Sequence, residues 1–411
     1  MKAETATRPL ESFRVLELGT MVAGPFCGRM LADFGAEVIK VEMASGDPVR
    51  GMGKRVAGKS LYASSIFRNK KMVSIDLRTE KGRDLVRKLA GKVDVLIENF
   101  RPGTMERWGL GYDALERLNP RLVMVRISGY GQTGPYSMRA GYGVIGDAMS
   151  GMRHITGDPD RPPARVAVSL TDYITGLHAA YGALMALLKR NETGKGQCID
   201  AALYESAFNF MEPYVPAYEK LGFVANRTGS RLPDKTPHNL YTTRDGRHIH
   251  LAAGREPTWQ RLMQAIGRAD ALADPRFATL TSRSEHEDDI DAIIWDWTAA
   301  HDLEEIDATL QQAGVPASRI YTMADAFADP HYAAREMLVD VPDADLGTVR
   351  VANVVPKLSA TPGRIDKAGG QVGVDTREVL SEIAGMTDSA ISALESEGVI
   401  YCGAAGRPEA G

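Results

Sequence analysis

Cysteine is scarce. Only Cys27, Cys198 and Cys402 occur in 411 residues, with no C-x-x-C pair. That pattern excludes a disulfide scaffold or a zinc ribbon and fits a reducing compartment. Histidine is thin as well, and no H-E-x-x-H occurs; His154, His178, His238, His248 and His250 are scattered, so no metal site is expected. There is no basic excess either. Lys and Arg number 49 against 53 Asp and Glu, a net charge of −4, which argues against a nucleic-acid partner. No run of about 18 apolar residues exists and MKAETATRPLES has no apolar leader pattern, so a cytoplasmic chain without membrane contact is expected. Neither G-x-S-x-G nor G-x-x-x-x-G-K-[ST] occurs, which removes a serine-hydrolase elbow and a P-loop; the T-G-K-G-Q stretch at 193–197 is too short for the latter.

What is present is ordinary globular material, 44% hydrophobic and 25% charged, enough for two domains with real cores. FRVLEL at 13–18 reads as a strand. It leads through a glycine-containing turn into a helical pattern with Pro25 in its first turn, and Gly35 stops that helix before the strand at 36–42. Strand, turn, helix and strand within about 30 residues make a βαβ unit with a parallel, right-handed crossover. The alternation continues with strands at 72–77, 93–98, 121–128 and 198–203 and helices at 79–90 and 112–118. The fold class expected is α/β, a Rossmann-like parallel sheet covered on both faces. Residues 222–237 lose periodicity and read as a linker; the hairpin around R-D-G at 244–246 and three helical patterns beyond it read as a smaller α+β domain. The organisation expected is 1–221 for the N-terminal part of the large domain and 222–330 for linker and small domain. Residues 331–411 are then the return linker and C-terminal part of the large domain, with a mobile tail at 402–411.

A dinucleotide site needs G-x-G-x-x-G, and the first turn offers only Gly19 and Gly24. Glu42 imitates the ribose-binding acid, but the missing glycines weaken a nicotinamide oxidoreductase, which stays as an alternative of a different class. Ligands of parallel sheets bind beyond the carboxyl ends of strands. Those ends hold Thr20 to Ala23, Asp76 to Arg78, Asn99 to Arg101 with Arg107, and the glycine-rich loop 129–143. Arg78, Arg101, Arg107 and Arg139 read either as guanidinium forks for phosphates and carboxylates or as a solvated basic rim. The helical stretch 169–190 carries Ile174, Leu177, Tyr181, Leu184 and Leu188 at helical spacing, which reads as one buried stripe. At its mouth, Ser169 and Asp172 form an S-x-x-D pattern. Locally that is a capping aspartate; a carboxylate kept ionised by a helix start is equally placed to act as a nucleophile.

The motifs VAGPFCGRMLADFGAEVIKVE (22–42), RNKK (68–71), DVLIENFRPG (94–103), GLGY (109–112), ISGYGQTGP (127–135), RAGY (139–142), TDYITG (171–176) and TGKGQ (193–197) together resemble the class III CoA-transferases of the formyl-CoA transferase type. VPASRI at 315–320 and ADPH at 328–331 echo the same family more weakly. The resemblance spans essentially the whole chain. It implies that Asp172 is the nucleophile, passing through an aspartyl anhydride and an aspartyl-CoA thioester. It implies CoA contacts from Val22, Ala23, Ile75, Asp76, Leu77, Arg78, Asn99, Phe100, Arg101, Arg107 and Tyr142. It also implies an acyl-CoA and a carboxylic acid as substrates, no permanently bound cofactor, and an interlocked homodimer. Met43 stands where the formyl-CoA enzyme has a basic residue for the adenine end, and Val22 where it has glutamine. That enzyme's active-site glycine run has no counterpart beyond AAGRE at 252–256, which speaks against oxalate as acceptor. RAGY and TPHNLY (236–241) look more like members that use dicarboxylates, with Arg139 or His238 holding the distal carboxylate and succinyl-CoA as a donor. A racemase of the same fold family, which needs a His/Asp pair to move an α-proton, is the nearest alternative.

Overall fold

The computed structural model describes residues 7–403, so the predicted mobile tail lies, from 404 onward, outside the described residues. Clustering of contacts divides the chain into two units. The first comprises 1–152, 166–216 and 333–411; the second comprises 153–165 and 217–332. The excursion 153–165, RHITGDPDRPPAR, is rich in Pro, Arg and Asp and poor in apolar residues, a composition shift that the domain bounds expected from the sequence did not use.

The first unit is a mixed α/β fold with a largely parallel central sheet. Its early elements are β1 (Arg14–Glu17), α1 (Ala23–Asp33), β2 (Glu37–Glu42), a small ribbon of β3 (Arg55–Val56) and β4 (Lys59–Ser60), α2 (Leu61–Ile66) and β5 (Lys70–Ile75). Next come α3 (Glu80–Ala90), β6 (Val95–Glu98), α4 (Thr104–Arg107), α5 (Tyr112–Leu118), β7 (Val123–Ser128), α6 (Gly143–Met149), α7 (Leu170–Thr193), β8 (Cys198–Ala202) and α8 (Leu203–Phe208). Sheet order is β5-β2-β1-β6-β7-β8, all parallel, with a short strand Ile400–Tyr401 added antiparallel on β5. The order reverses between β1 and β6, so the loops after these two strands diverge and leave a crevice at the sheet's carboxyl edge. Val15, Leu16, Ile39, Val73, Ile75, Leu96, Ile97, Val123 and Val125 have almost no exposure. Each contributes about 1.5–3 kcal/mol by leaving water.

Helix α7 corrects the sequence reading in one respect. Leu177, Tyr181 and Leu188 are 49%, 61% and 60% exposed, whereas the buried face is Thr175, Gly176, Ala179, Ala180, Ala183, Ala186 and Leu187. Small side chains face the sheet because α7 packs very closely on α1: a Cβ on Gly176 would stand 2.7 Å from the Ala23 carbonyl oxygen and 2.9 Å from the Phe26 ring. Backbone cannot yield there as a flexible side chain can. Gly176→Ala is therefore expected to destabilise the protein by about 1–3 kcal/mol, read as a lower midpoint in denaturant unfolding.

The second unit holds a three-stranded antiparallel sheet of His238–Thr242, His248–Ala252 and Ala317–Arg319. Helices Glu256–Ala265, Glu287–Ala300 and Leu303–Gln312 cover it with a core that includes Tyr241, Ile249, Trp259, Leu262, Ile294 and Leu310. Buried Asp291 gathers the Tyr241 hydroxyl at 2.6 Å, the Asn239 amide at 2.8 Å and the Arg231 guanidinium at 2.8 Å.

Candidate active site

The crevice begins at the turn between β1 and α1. Gly19 and Gly24 lie back to back: a Cβ on either would be 3.0 Å from the Cα of the other, and both face Asn99. Asn99, just beyond β6, accepts from the Thr20 N–H at 2.7 Å and donates to the Thr20 carbonyl at 2.8 Å. These glycines close the turn on itself and on Asn99, rather than opening a cradle for a pyrophosphate, which counts further against the dinucleotide alternative. Val22 and Ala23 are buried at the start of α1, and no side chain caps that helix.

Asp172 occupies the first turn of α7. Ser169 takes the N-cap position but forms no side-chain capping bond, so only half of the S-x-x-D reading survives. The Asp172 carboxylate is pressed against Gly143, the first residue of α6: a Cβ there would stand 2.0 Å from Oδ2. Two helix starts meet at this carboxylate, the ends where backbone N–H dipoles favour negative charge. Gly143 is delivered by the loop 129–142, which is pinned at its base. Gly129 and Gly141 approach so closely that a Cβ on either would sit 3.0 Å from the other's Cα, and the Gly131 N–H donates to Ser128 Oγ at 2.9 Å.

Beside Asp172, the hydroxyls of Tyr62 and Tyr173 share a 2.7 Å hydrogen bond, and the Tyr173 ring meets Phe26 edge-on at 4.8 Å. Burial, the Tyr173 hydroxyl and the nearby Asp172 charge all push the Tyr62 phenol up, so it keeps its proton and can donate. Behind it, burial brings the Arg29 guanidinium down to about 10 despite Asp33, whose Oδ2 stands 3.7 Å from the Arg29 Nε.

The other expected residues string out along the same sheet edge. Ile75 ends β5, and Asp76 and Arg78 line a cavity of about 270 Å³ with Met43, Ser74 and Val399. Leu77 belongs to the core. Arg78 is exposed, and its guanidinium is already engaged by Asp76 at 2.7 Å, which holds the Asp76 carboxyl below its usual range. Phe100 packs edge-on against Trp108 at 5.2 Å, Arg101 is exposed, and Arg107 donates to Thr104 Oγ1 at 2.9 Å. Strands β5 and β6 are three spacings apart, about 14 Å, so Arg78 and Arg107 follow strand ends too far apart to grip one small anion together. Tyr142 is exposed immediately before Gly143, and the Arg139 guanidinium stacks on Tyr136 at 3.5 Å. His238 belongs to the second unit, where its ring meets His250 at 4.9 Å and burial lowers its pKa. His178, the histidine nearest Asp172 in sequence, stacks on Phe210 at 6.0 Å.

Sequence reasoning missed Gly143, Tyr62, Tyr173 and the charges beneath the first turn. Of these, Lys40 and Glu17 left a trace, as charged residues between apolar ones in the central strands.

The family model described as CoA-transferase family III matches residues 10–376. The succinyl-CoA–D-citramalate CoA-transferase of Chloroflexus aurantiacus is 46% identical over 402 residues, covering 97% of this chain and 100% of that one. The succinate–glutarate CoA-transferase of Agrobacterium fabrum is 35% identical, covering 91% of this chain and 96% of its own. Among solved structures, a CAIB/BAIF family protein from Brucella suis superposes with a TM-score of 0.82 at 34% identity, covering 92% of this chain and all of that one.

Proposed function

The chain belongs to CoA-transferase family III and is a CoA-transferase, and on that premise we propose that it moves CoA from succinyl-CoA to a dicarboxylic acid through covalent intermediates on Asp172. The observation that carries the reading is the carboxylate of Asp172, fixed by Gly143 at the crevice mouth beside protonated Tyr62. The relatives named for citramalate and glutarate support a diacid acceptor.

In the proposed sequence, an Asp172 oxygen attacks the thioester carbonyl and expels CoA thiolate, leaving a mixed anhydride. The thiolate then attacks the aspartyl carbonyl of that anhydride, giving an aspartyl-CoA thioester and free succinate. The acceptor carboxylate attacks this thioester, CoA leaves again, and its return onto the acceptor's acyl carbon regenerates Asp172. No water or external energy is consumed, and each hard exchange is divided into steps with good leaving groups. Val22 and Ala23 line the thioester end, Tyr142 stands over it, and Asn99, Phe100, Arg101 and Arg107 run toward the phosphates. Ile75, Asp76, Leu77 and Arg78 border the cavity for the nucleotide end. The proposed partner of the acid's distal carboxylate is Arg139 or, alternatively, His238. The test is to incubate the protein with succinyl-CoA and a panel of mono- and dicarboxylic acids and identify new thioesters by mass spectrometry. Diacid thioesters are expected; transfer to monoacids alone would overturn the substrate class.

The assembly proposed is a homodimer, interlocked as in the resemblance. Leu177, Tyr181, Met185 and Leu188 form an exposed apolar stripe on one helix, which supports a covering partner. Tyr181→Asp combined with Leu188→Asp is expected to lower the yield of folded dimer recovered on refolding, read by light scattering. A wild-type monomer at working concentration would contradict the assembly.

A further inference from the structure

Four charged groups that the transfer chemistry does not use are buried under the β1–α1 turn. Glu17, Lys40 and Lys70 have no exposure, and Asp47 has 3%. Burying ions is costly unless each is paired; Lys40, Asp47 and Lys70 bond the turn or the start of α1 directly, and Glu17 pairs with Lys70. Lys40 Nζ donates to the Gly19 carbonyl at 2.5 Å and to Asp47 Oδ2 at 2.9 Å. Asp47 Oδ1 in turn accepts from the Met21 N–H at 3.1 Å and the Val49 N–H at 3.0 Å. Lys70 Nζ bridges Glu17 Oε2 at 2.6 Å and the Pro25 carbonyl at 2.7 Å, inside the first turn of α1. Gly28 admits that carboxylate, since a Cβ there would overlap Glu17 Oε2. The Phe67 ring lies 5.5 Å from each of the two ammonium groups.

The backbone held this way is strained. Met21 sits at φ 64, a left-handed conformation that a side chain other than glycine's disfavours. Asn99 fixes Thr20 from the opposite strand. Gly19, Thr20 and Met21 are thus each gripped from behind, while Val22 and Ala23 follow directly, packed one helical turn below Asp172 through the Ala23–Gly176 contact. Strain that persists only because its surroundings over-determine it serves position.

We propose that Asp47, held by Lys40, is a positioning residue for the transfer: by fixing the Met21 N–H it locks the turn in the one conformation that sets the Val22 and Ala23 backbone beside Asp172. The inference rests on the reaction proposed above. Asp47 touches neither substrate, so its loss displaces the reacting carbonyl relative to the nucleophile and leaves the Arg107 contact, in α4 after β6, in place.

The test uses the full chain and steady-state kinetics normalised to folded protein by circular dichroism. Asp47→Ala is expected to lower kcat by about 10²-fold with KM for the acyl-CoA changed less than about threefold, the signature of misplaced reacting groups. Asp47→Asn keeps an oxygen that accepts from Met21 and Val49, and is expected to return kcat to within about tenfold of wild type. Wild-type kcat in Asp47→Ala, or equal losses in both variants, overturns the positioning role. Should Asp47→Ala not fold, Asp47→Ser in a Met21→Gly background decides, because there φ 64 carries no strain: a kcat well below that of Met21→Gly alone supports the proposal, and an equal kcat overturns it. Asp172→Ala in the same assay separates the two failures: transfer surviving in it overturns the covalent reading, and wild-type kcat in Asp47→Ala overturns the positioning role alone.

Discussion

Asp172→Ala is expected to lose CoA transfer by on the order of 10⁴-fold or more while still binding CoA, because removing a covalent nucleophile deletes the whole reaction path and not one interaction along it. The folded structure has little reason to suffer. Asp172 is only partly buried, and its loss removes only the favourable interaction of a first-turn carboxylate with the helix start, about 0.3–1 kcal/mol. Binding should persist because Arg107, the Phe100 platform and the cavity by Asp76 are separate from the carboxylate. Calorimetric titration with CoA, run beside the transfer assay, reads both halves. Asp172→Glu is not expected to rescue. The extra methylene drives the carboxylate toward Gly143, where Oδ2 already stands 2.0 Å from the place of a missing Cβ.

That same contact gives the second prediction. Gly143→Ala adds one methyl group against the Asp172 carboxylate and is expected to lower kcat by about 10²-fold, the scale on which an ångström of misplacement acts. Gly143 needs no left-handed backbone, and the group that must yield is the far end of a flexible side chain, so unfolding should change little. A stable Gly143→Ala protein with wild-type kcat would mean that the carboxylate does its work from another rotamer, away from the α6 start.

These two glycine contacts, at Gly143 and Gly176, mark where the sequence stopped being readable. The parallel strands were legible because each is a short apolar run between turn residues, and their observed bounds fall within two residues of the expected ones. β5 begins two residues early, at Lys70, because a lysine that bonds Glu17 and Pro25 can enter a strand that periodicity would end at Met72. The apolar stripe on α7 was assigned to the wrong face. Hydrophobic spacing favours the large residues Leu177, Tyr181 and Leu188, while the closeness of α1 demands the small ones, and distance between helices is not written in the periodicity of either. Asp172 was visible as a carboxylate at a helix start, and the motif resemblance supplied its role. Gly143 and Tyr62 come to it from two other helices, α6 and α2, and Asp47 acts through a turn 26 residues away. Such partners exist only once the chain is folded.

The central claim is that CoA becomes covalently attached to Asp172 during turnover. The most direct measurement is to mix the protein with succinyl-CoA in the absence of acceptor, quench, and map the adduct by peptide mass spectrometry. The account predicts a CoA thioester on the peptide carrying Asp172, discharged on adding a diacid acceptor and absent in Asp172→Ala. Transfer that proceeds with no adduct, or with the adduct on another residue, would contradict it.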